Sequence, residues 1–247
     1  MKVAVCISGL LNSHSKHTSV NNNLNCARKK FPDYNFHFAT YPQFKEDFEE
    51  KFPGEVCHYF PEPKVTYHPY EIKKEHWVSN RFQEAKDFIF RGGGKRKDWS
   101  SHHVKQHLTH FRLCNIIKDD YDVIVRLRFD SWISRNADFI PYVIDTFENQ
   151  RTNSFSATKK KKFDELNQFD SSPKGRHYNW MTDQMIIHPA SFVNLKLVES
   201  LYKEKILHPA EMGWYQILSR PYGNNHRCFD GWVNHDKNVL SEYFYKV

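Results

Sequence analysis

Lys2-Val-Ala-Val-Cys-Ile-Ser8-Gly9 is a β-rich run that ends in Ser-Gly and gives way to a polar turn. A short apolar strand feeding such a turn is the entry of a βα unit. Downstream, residues 16–31 read as a helix stopped by Pro32. Tyr34 to Thr40 reads as a second strand with Tyr34, Phe36 and Phe38 on one face. A short helix over 43–51 and a third strand near Glu55 to Phe60 follow. This β-α-β-α-β order predicts an α/β fold of Rossmann type, with a mostly parallel central sheet and helices on both faces.

The remaining chain continues in the same style. Residues 61–79 are irregular, and Arg81 to Phe90 reads as a helix. The basic loop Arg91-Gly-Gly-Gly-Lys-Arg-Lys97 lacks the spacing of a phosphate-binding P-loop. Ser100 to Lys118 reads as one helix, with Ser100 or Ser101 as N-cap and an apolar stripe through Val104, Leu108, Phe111 and Ile116. His102, His103, His107 and His110 crowd this helix, and HxxxH without a third ligand is a weak metal signal. Tyr121 to Phe129 is the strongest strand. A helix is expected over Phe139 to Glu148, strands over Asn153 to Ala157 and Met185 to His188, and helices over Ser191 to Lys203 and Pro209 to Leu218. The last 25 or so residues read as aromatic and irregular. With no internal repeat or linker, residues 1–247 are expected to form a single domain, its halves meeting near residue 130.

The totals bound the function. The 247 residues carry 20 Phe, 13 Tyr and 6 Trp, a composition that builds cores and also stacking surfaces for sugars and bases. A formal net charge of +7 favours an anionic partner, although a solvated basic surface accounts for it equally well. Cys6, Cys26, Cys57, Cys114 and Cys228 are odd in number and form no CxxC pair, which speaks against a disulfide framework and against a cysteine zinc site, and for reduced thiols in a cytoplasm. No apolar stretch approaches the roughly 20 residues that span a bilayer, and no signal peptide is expected.

Chemistry concentrates in Asp122-Val-Ile-Val-Arg-Leu-Arg-Phe-Asp130. Strand alternation puts Arg126, Arg128 and Asp130 on one face and Val125, Leu127 and Phe129 on the other. Open α/β sheets bind ligands at the carboxyl ends of their strands. Guanidinium groups suit diphosphate oxygens, and a carboxylate there suits Mg²⁺ or Mn²⁺. The alternative is an internal ion-pair network. In Trp180-Met-Thr-Asp183-Gln184, the indole can stack on a sugar, the carboxylate can take a proton from a hydroxyl, and the amide stands beside them; a local Asp-capped turn fits equally. Glu211 sits in a helix's first turn, where support of the helix dipole competes with a catalytic role.

The order of these features resembles that of GT-A-like glycosyltransferases from phages, large viruses and bacterial polysaccharide clusters. The resemblance rests on Val3-Ala-Val-Cys-Ile-Ser-Gly9, on Phe36-His-Phe-Ala-Thr40-Tyr41, and on a YDxVIRxRxD-type strand from Tyr121 to Asp130. It also includes Asp183-Gln184 and Pro209-Ala-Glu211. It spans nearly the whole chain, and its middle motif is the most specific. It implies a GT-A-like fold with Ser8 and Gly9 against a nucleotide, Asp130 as the donor or metal residue, and Arg126 and Arg128 nearby. Asn12 stands where many relatives carry Arg, and Arg128 interrupts the usual DxD triplet.

The function expected is transfer of a hexosyl or pentosyl unit from a nucleotide sugar to a glycan or other hydroxyl acceptor in the cytoplasm, that of a host if the protein is viral. Mn²⁺ or Mg²⁺ on Asp130 would assist, Asp183 and Glu211 are the catalytic candidates, and Trp180 and Gln184 would meet the acceptor. The donor side comprises Ser8, Gly9, Asn12, Arg126, Arg128 and Asp130. A rival reading is a non-enzymatic binder of nucleic acid or another anion through basic loops 91–97 and 159–162, but no nucleic-acid motif appears.

Overall fold

The computed structural model describes residues 1–11, 24–29, 31–64, 72–76, 99–130, 132–133, 154–158, 181, 183, 185–208, 210–222, 226–230 and 233–234. The strands are β1 (Val3–Ser8), β2 (Asn35–Thr40), β3 (Cys57–Tyr59), β4 (Val123–Leu127), β5 (Trp132–Ile133), β6 (Ser154–Thr158), β7 (Met185–Pro189), β8 (His226–Asp230) and β9 (Val233–Asn234). The helices are α1 (24–29), α2 (Lys45–Lys51), α3 (Trp99–Ile117), α4 (Leu195–Lys203) and α5 (Ala210–Leu218).

Seven strands join one sheet in the order β3-β2-β1-β4-β7-β6-β8, and β5 pairs with β9 apart from it. β1 pairs in parallel with β2 and β4, β2 with β3, and β6 with β8; β7 runs antiparallel between β4 and β6. The fold is therefore α/β with a mostly parallel central sheet.

Strand alternation sorts the core into two layers. Val3, Val5 and Ile7 of β1, Val123, Val125 and Leu127 of β4, and Met185 and Ile187 of β7 bury one face against α1 and α2. Ala4, Cys6, Ile124 and Ile186 turn to the other face, covered by α3, α4 and α5. Helices thus lie on both faces, as the alternating pattern requires of a sheet that buries both sides. The ring of Phe129, just beyond β4, lies 6.1 Å from Phe52 and 6.3 Å from Phe48, and so anchors the strand's carboxyl end to the α2 layer. Each such buried ring contributes roughly 2–3 kcal/mol.

Four expectations meet a different structure. Ile116, expected in the apolar stripe of the long helix, is exposed, and Leu113 and Ile117 complete the buried side instead. α3 already includes Trp99, so Ser100 and Ser101 lie inside the helix and any cap precedes them. The expected helix over Ser191 to Lys203 is divided: a 3₁₀ turn at Ala190–Phe192 precedes α4, whose cap is Asn194, with Oδ1 accepting from Leu197 N–H at 2.9 Å. The tail contains strands β8 and β9. His226-Arg-Cys-Phe-Asp230 lacks apolar alternation, and its strand state comes from pairing with β6. The helices expected at Arg81 to Phe90 and Phe139 to Glu148, and the loops 91–97 and 159–162, lie outside the described residues. Among the described residues no helix is long and apolar enough to cross a membrane.

The loop before α5 has a titratable keystone. Gln216 accepts from His208 N–H and donates to the Ile206 carbonyl, both at 3.0 Å. The His208 ring, wholly buried, donates through Nε2 to the His76 carbonyl at 2.9 Å. Burial lowers its pKa from 6.5 to about 4; the bond to His76 opposes the shift, and the charges of Arg220 and His76 add to it. The unfolded chain therefore protonates His208 near its ordinary pKa, while the folded chain resists down to about 4. This stability is present above pH ~6.5 and is lost as pH falls towards ~4, about 3 kcal/mol in all. Urea unfolding at about pH 7.5 and about pH 4.5 should show the loss in the wild type and a smaller one in His208→Gln.

Candidate functional site

The parallel register aligns the carboxyl ends of β1 and β4, with Ile7 paired to Leu127. Two residues beyond each lie Gly9 and Phe129, so the Ser-Gly turn and the Arg128–Asp130 segment are neighbours. Gly9 has φ +124°, and a Cβ built there meets nothing within 4 Å. The backbone angle therefore demands glycine, and the space beside it is open among the described residues. The turn is tied to β2: Gly9 N–H donates to the Ala39 carbonyl at 3.1 Å, and Thr40 Oγ1–H donates to the Gly9 carbonyl at 2.9 Å.

Arg126 and Arg128 behave differently although they share a face. Arg126 is wholly buried in the layer beneath α3 and α5. Its Nη2 donates to Gln106 Oε1 at 2.6 Å, its Nη1 donates to the Asp183 carbonyl, and its Cζ lies 4.4 Å from the centroid of Trp214. Burial lowers its pKa to about 9, with Asp183 opposing and Arg128 adding to the shift. The guanidinium stays cationic at neutral pH, where it serves as a fixed internal charge.

Arg128 faces outward and forms the hub of an ion-pair network. Its Nε and Nη2 donate to the two carboxylate oxygens of Asp130 at 2.7 and 2.5 Å, and its Nη1 donates to Asp183 Oδ2 at 2.7 Å. Burial works against this charge, but the two carboxylates and their hydrogen bonds outweigh it and raise the pKa above its ordinary value. The side chain of Asp130 is 41% exposed and that of Arg128 25%, whereas Asp183 is buried. The network therefore has a solvent-facing end at Asp130 and a buried end at Asp183.

The other expected site residues divide. Ser8 is buried with its Oγ 3.4 Å from His110 Nδ1, so it faces the α3 layer rather than the space beside Gly9. Glu211 lies in the first turn of α5, where only its backbone is described. Asn12, Trp180 and Gln184 lie outside the described residues.

Several residues escaped sequence reasoning. Gln106 and Trp214 hold Arg126 from two helices. His107, half of the HxxxH pair, is buried 4.4 Å from Trp214 between ring centroids. His110, Cys114 and His188 converge instead, their ligand atoms all within 4.8 Å of one another. The signal was the i,i+4 pair His110-x-x-x-Cys114, whose partner His188 comes from a distant strand. Burial and His188 hold His110 well below the ordinary imidazole range, and burial brings His188 down to about 4. Burial and the adjoining Cys6 push the Cys114 thiol up.

No family model matches the chain, and no curated protein matches it. Solved structures similar to it include a glycosyltransferase involved in the glycosylation of the major capsid of PBCV-1, at 11% identity over 93% of this chain and 82% of that one, with a TM-score of 0.43. Core-mannan synthase A from Aspergillus fumigatus, in its Mn/GDP form, matches at 14% identity over 96% and 75%, TM-score 0.47. A 4-diphosphocytidyl-2C-methyl-D-erythritol synthase from Anaerococcus prevotii matches at 5% identity over 100% and 99%, TM-score 0.47. At these values the likeness assigns no role to any residue here.

Proposed function

We propose that this protein is a glycosyltransferase of GT-A-like type, moving a hexosyl or pentosyl unit from a nucleotide sugar to a hydroxyl of a glycan acceptor. The observation that carries the reading is the Asp130–Arg128–Asp183 network at the carboxyl end of the central parallel strand, beside the open Gly9 turn. That edge is where open parallel sheets bind ligands. The GT-A-like sequence pattern from Val3 to Glu211 points to the same site.

In this reading the nucleotide lies over Gly9, whose missing side chain lets the backbone approach closely. Arg128 stabilises the charge that grows on the leaving diphosphate, a task suited to a forked donor already oriented by two carboxylates. Arg126 holds the base of the network in place. Asp183, buried and bonded to Arg128, is best suited to positioning that guanidinium; as acceptor base it would first have to part from it. Trp180 and Gln184, next to Asp183 in sequence, are the proposed acceptor contacts, and Glu211 the second catalytic candidate.

Mn²⁺ or Mg²⁺ takes one or two protein carboxylates and completes its shell with phosphate oxygens and water. Here the ion would have to share Asp130 with Arg128, which now bonds both of its oxygens. Asp130 provides one partly exposed carboxylate. Bound there, the ion would neutralise the departing diphosphate.

The test is thermal shift with UDP-, GDP- and CMP-sugars, with and without Mn²⁺, on the wild type and Asp130→Asn. One donor should raise Tm in the wild type, and the variant should bind it at least about tenfold more weakly and hydrolyse it ~10²-fold more slowly. Because the pair is partly exposed, the variant should lose no more than about 1 kcal/mol of stability, which separates binding from folding. No stabilisation by any nucleotide, together with salt-sensitive binding to single-stranded DNA, would overturn the proposal.

A further inference from the structure

We infer that His110, Cys114 and His188 form a buried zinc site that pins α3 to β7, separate from the Asp130 network. Three observations carry this. The first is geometric. Tetrahedral zinc with Zn–N near 2.05 Å and Zn–S near 2.3 Å requires N···N edges of about 3.3 Å and N···S edges of about 3.6 Å. His110 Nε2 lies 3.4 Å from His188 Nε2, and Cys114 Sγ lies 3.3 Å from His110 Nε2. Two of the three edges therefore stand close to ligand spacing, and the third, between Cys114 Sγ and His188 Nε2, is within 4.8 Å. Sγ also lies 3.7 Å from His110 Nδ1, so coordination requires a turn of the Cys114 side chain away from the ring.

The second is the outer shell. Zinc-bound imidazoles donate their remaining N–H to a carbonyl, carboxylate or hydroxyl, which fixes the tautomer and aims the other nitrogen at the metal. His188 Nδ1–H donates to the Pro189 carbonyl at 2.8 Å, which leaves Nε2 with its lone pair directed at the cluster. His110 Nδ1 lies 3.4 Å from Ser8 Oγ, an acceptor that suits the same tautomer. The His188 ring is held by its outer nitrogen, whereas His110 Nδ1 has both Ser8 Oγ and Cys114 Sγ beside it, at 3.4 and 3.7 Å.

The third is the donor chemistry. Imidazole and thiolate ligands select zinc over the hard cations that suit a diphosphate site. Cys6 is buried on the same sheet face and adjoins the Cys114 thiol, so a second sulfur stands next to the first. Two thiolates would balance the ion's charge in a layer that already contains the Arg126 cation. All three proposed ligands are fully buried, which indicates a structural rather than a catalytic centre.

Helix spacing explains how the site is assembled. His110 and Cys114 are one turn apart on the sheet-facing side of α3. His188 reaches them from β7, which pairs with β4 so that His188 lies opposite Ile124. A metal there would tie the long helix to the antiparallel strand at the centre of the sheet.

The experiment uses the full chain, refolded from urea with excess Zn²⁺ and dialysed, with metal measured by mass spectrometry. About one equivalent per chain is expected, falling at least about tenfold in Cys114→Ala and His188→Ala and unchanged in Asp130→Asn and in His58→Ala, a partly buried histidine elsewhere. Because the alanine variants could simply misfold, the second readout is the wild type loaded with Co²⁺. Tetrahedral thiolate coordination should give intense visible d–d bands and a sulfur-to-cobalt charge-transfer band, neither displaced by excess Mg²⁺. Less than about 0.1 equivalent of zinc in folded wild type, or a cobalt spectrum without thiolate charge transfer, overturns the inference. So does a Cys6–Cys114 disulfide in metal-free folded protein.

Discussion

Arg126→Met should destabilise the fold by about 3–5 kcal/mol, the range for removing one partner from a buried charged network. The loss is large because nothing replaces what the guanidinium does. Gln106 Oε1 and the Asp183 carbonyl each lose a donor in the core, and Trp214 loses the cation against its ring. An orphaned buried acceptor costs roughly 1–3 kcal/mol, and a desolvated cation–π contact is worth ~2 kcal/mol. Methionine fills much of the volume, so the cavity contribution is small and the measurement reports mostly polar loss. Urea unfolding checks it: the midpoint should fall steeply with an unchanged m-value. Pairing the change with Gln106→Leu should recover part of the loss, because the double variant removes acceptor and donor together, and a coupling of about 1–3 kcal/mol is expected. Strictly additive losses would mean that the Arg126–Gln106 bond contributes little.

The second large effect is Gly213→Ala, expected to cost about 3 kcal/mol where helix propensity alone predicts a gain of about 1 kcal/mol. Gly213 lies within α5, and exposed helical glycines are normally improved by alanine. Here a Cβ would collide with the His208 carbonyl oxygen and with the His107 ring, whose Nε2 would be 2.8 Å away. The carbonyl is backbone and cannot rotate away. His107 is wedged against Trp214, so it cannot swing aside cheaply either. The missing side chain lets α5 approach α3 closely enough for Trp214 to reach Arg126. Gly213→Ala should therefore lower the urea midpoint and also change the Trp214 environment, seen as altered near-ultraviolet circular dichroism. A neutral or stabilising result would show that the helices separate at little cost.

Both effects depend on a layer that sequence reading reached only halfway. Alternation along Val123 to Asp130 correctly separated Val125, Leu127 and Phe129, which pack beneath α1 and α2, from Arg126 on the opposite face. Period-2 geometry is local, so it could be read from these eight residues. The same pattern treated Arg126 and Arg128 alike. Their fates diverge because α3 and α5 cover the first, while the second lies past the last strand residue at the sheet's edge. Coverage by a distant helix has no signature in the strand itself.

Histidine shows the same division. His103 and His107 have a familiar metal spacing, yet His107 packs against an indole while His110 joins Cys114 and His188. Helix period explains why His110 and Cys114 share a face. Only the antiparallel placement of β7 brings in His188, some 78 residues away. Similarly, β8 is a strand because β6 offers it a parallel partner, and its own residues carry no alternation.

By itself, then, the sequence determined the α/β class, the β-α-β-α-β succession that opens the chain, and the charged run that ends β4. These follow from periodicity, turn chemistry and side-chain alternation, all of which act within a few residues. The tertiary structure decided which arginine is buried, that Asp183 meets Arg128 across a separation of 55 residues, and which histidines converge. Those outcomes depend on strand pairing and helix coverage between distant segments, where packing and desolvation, rather than local pattern, select the partners.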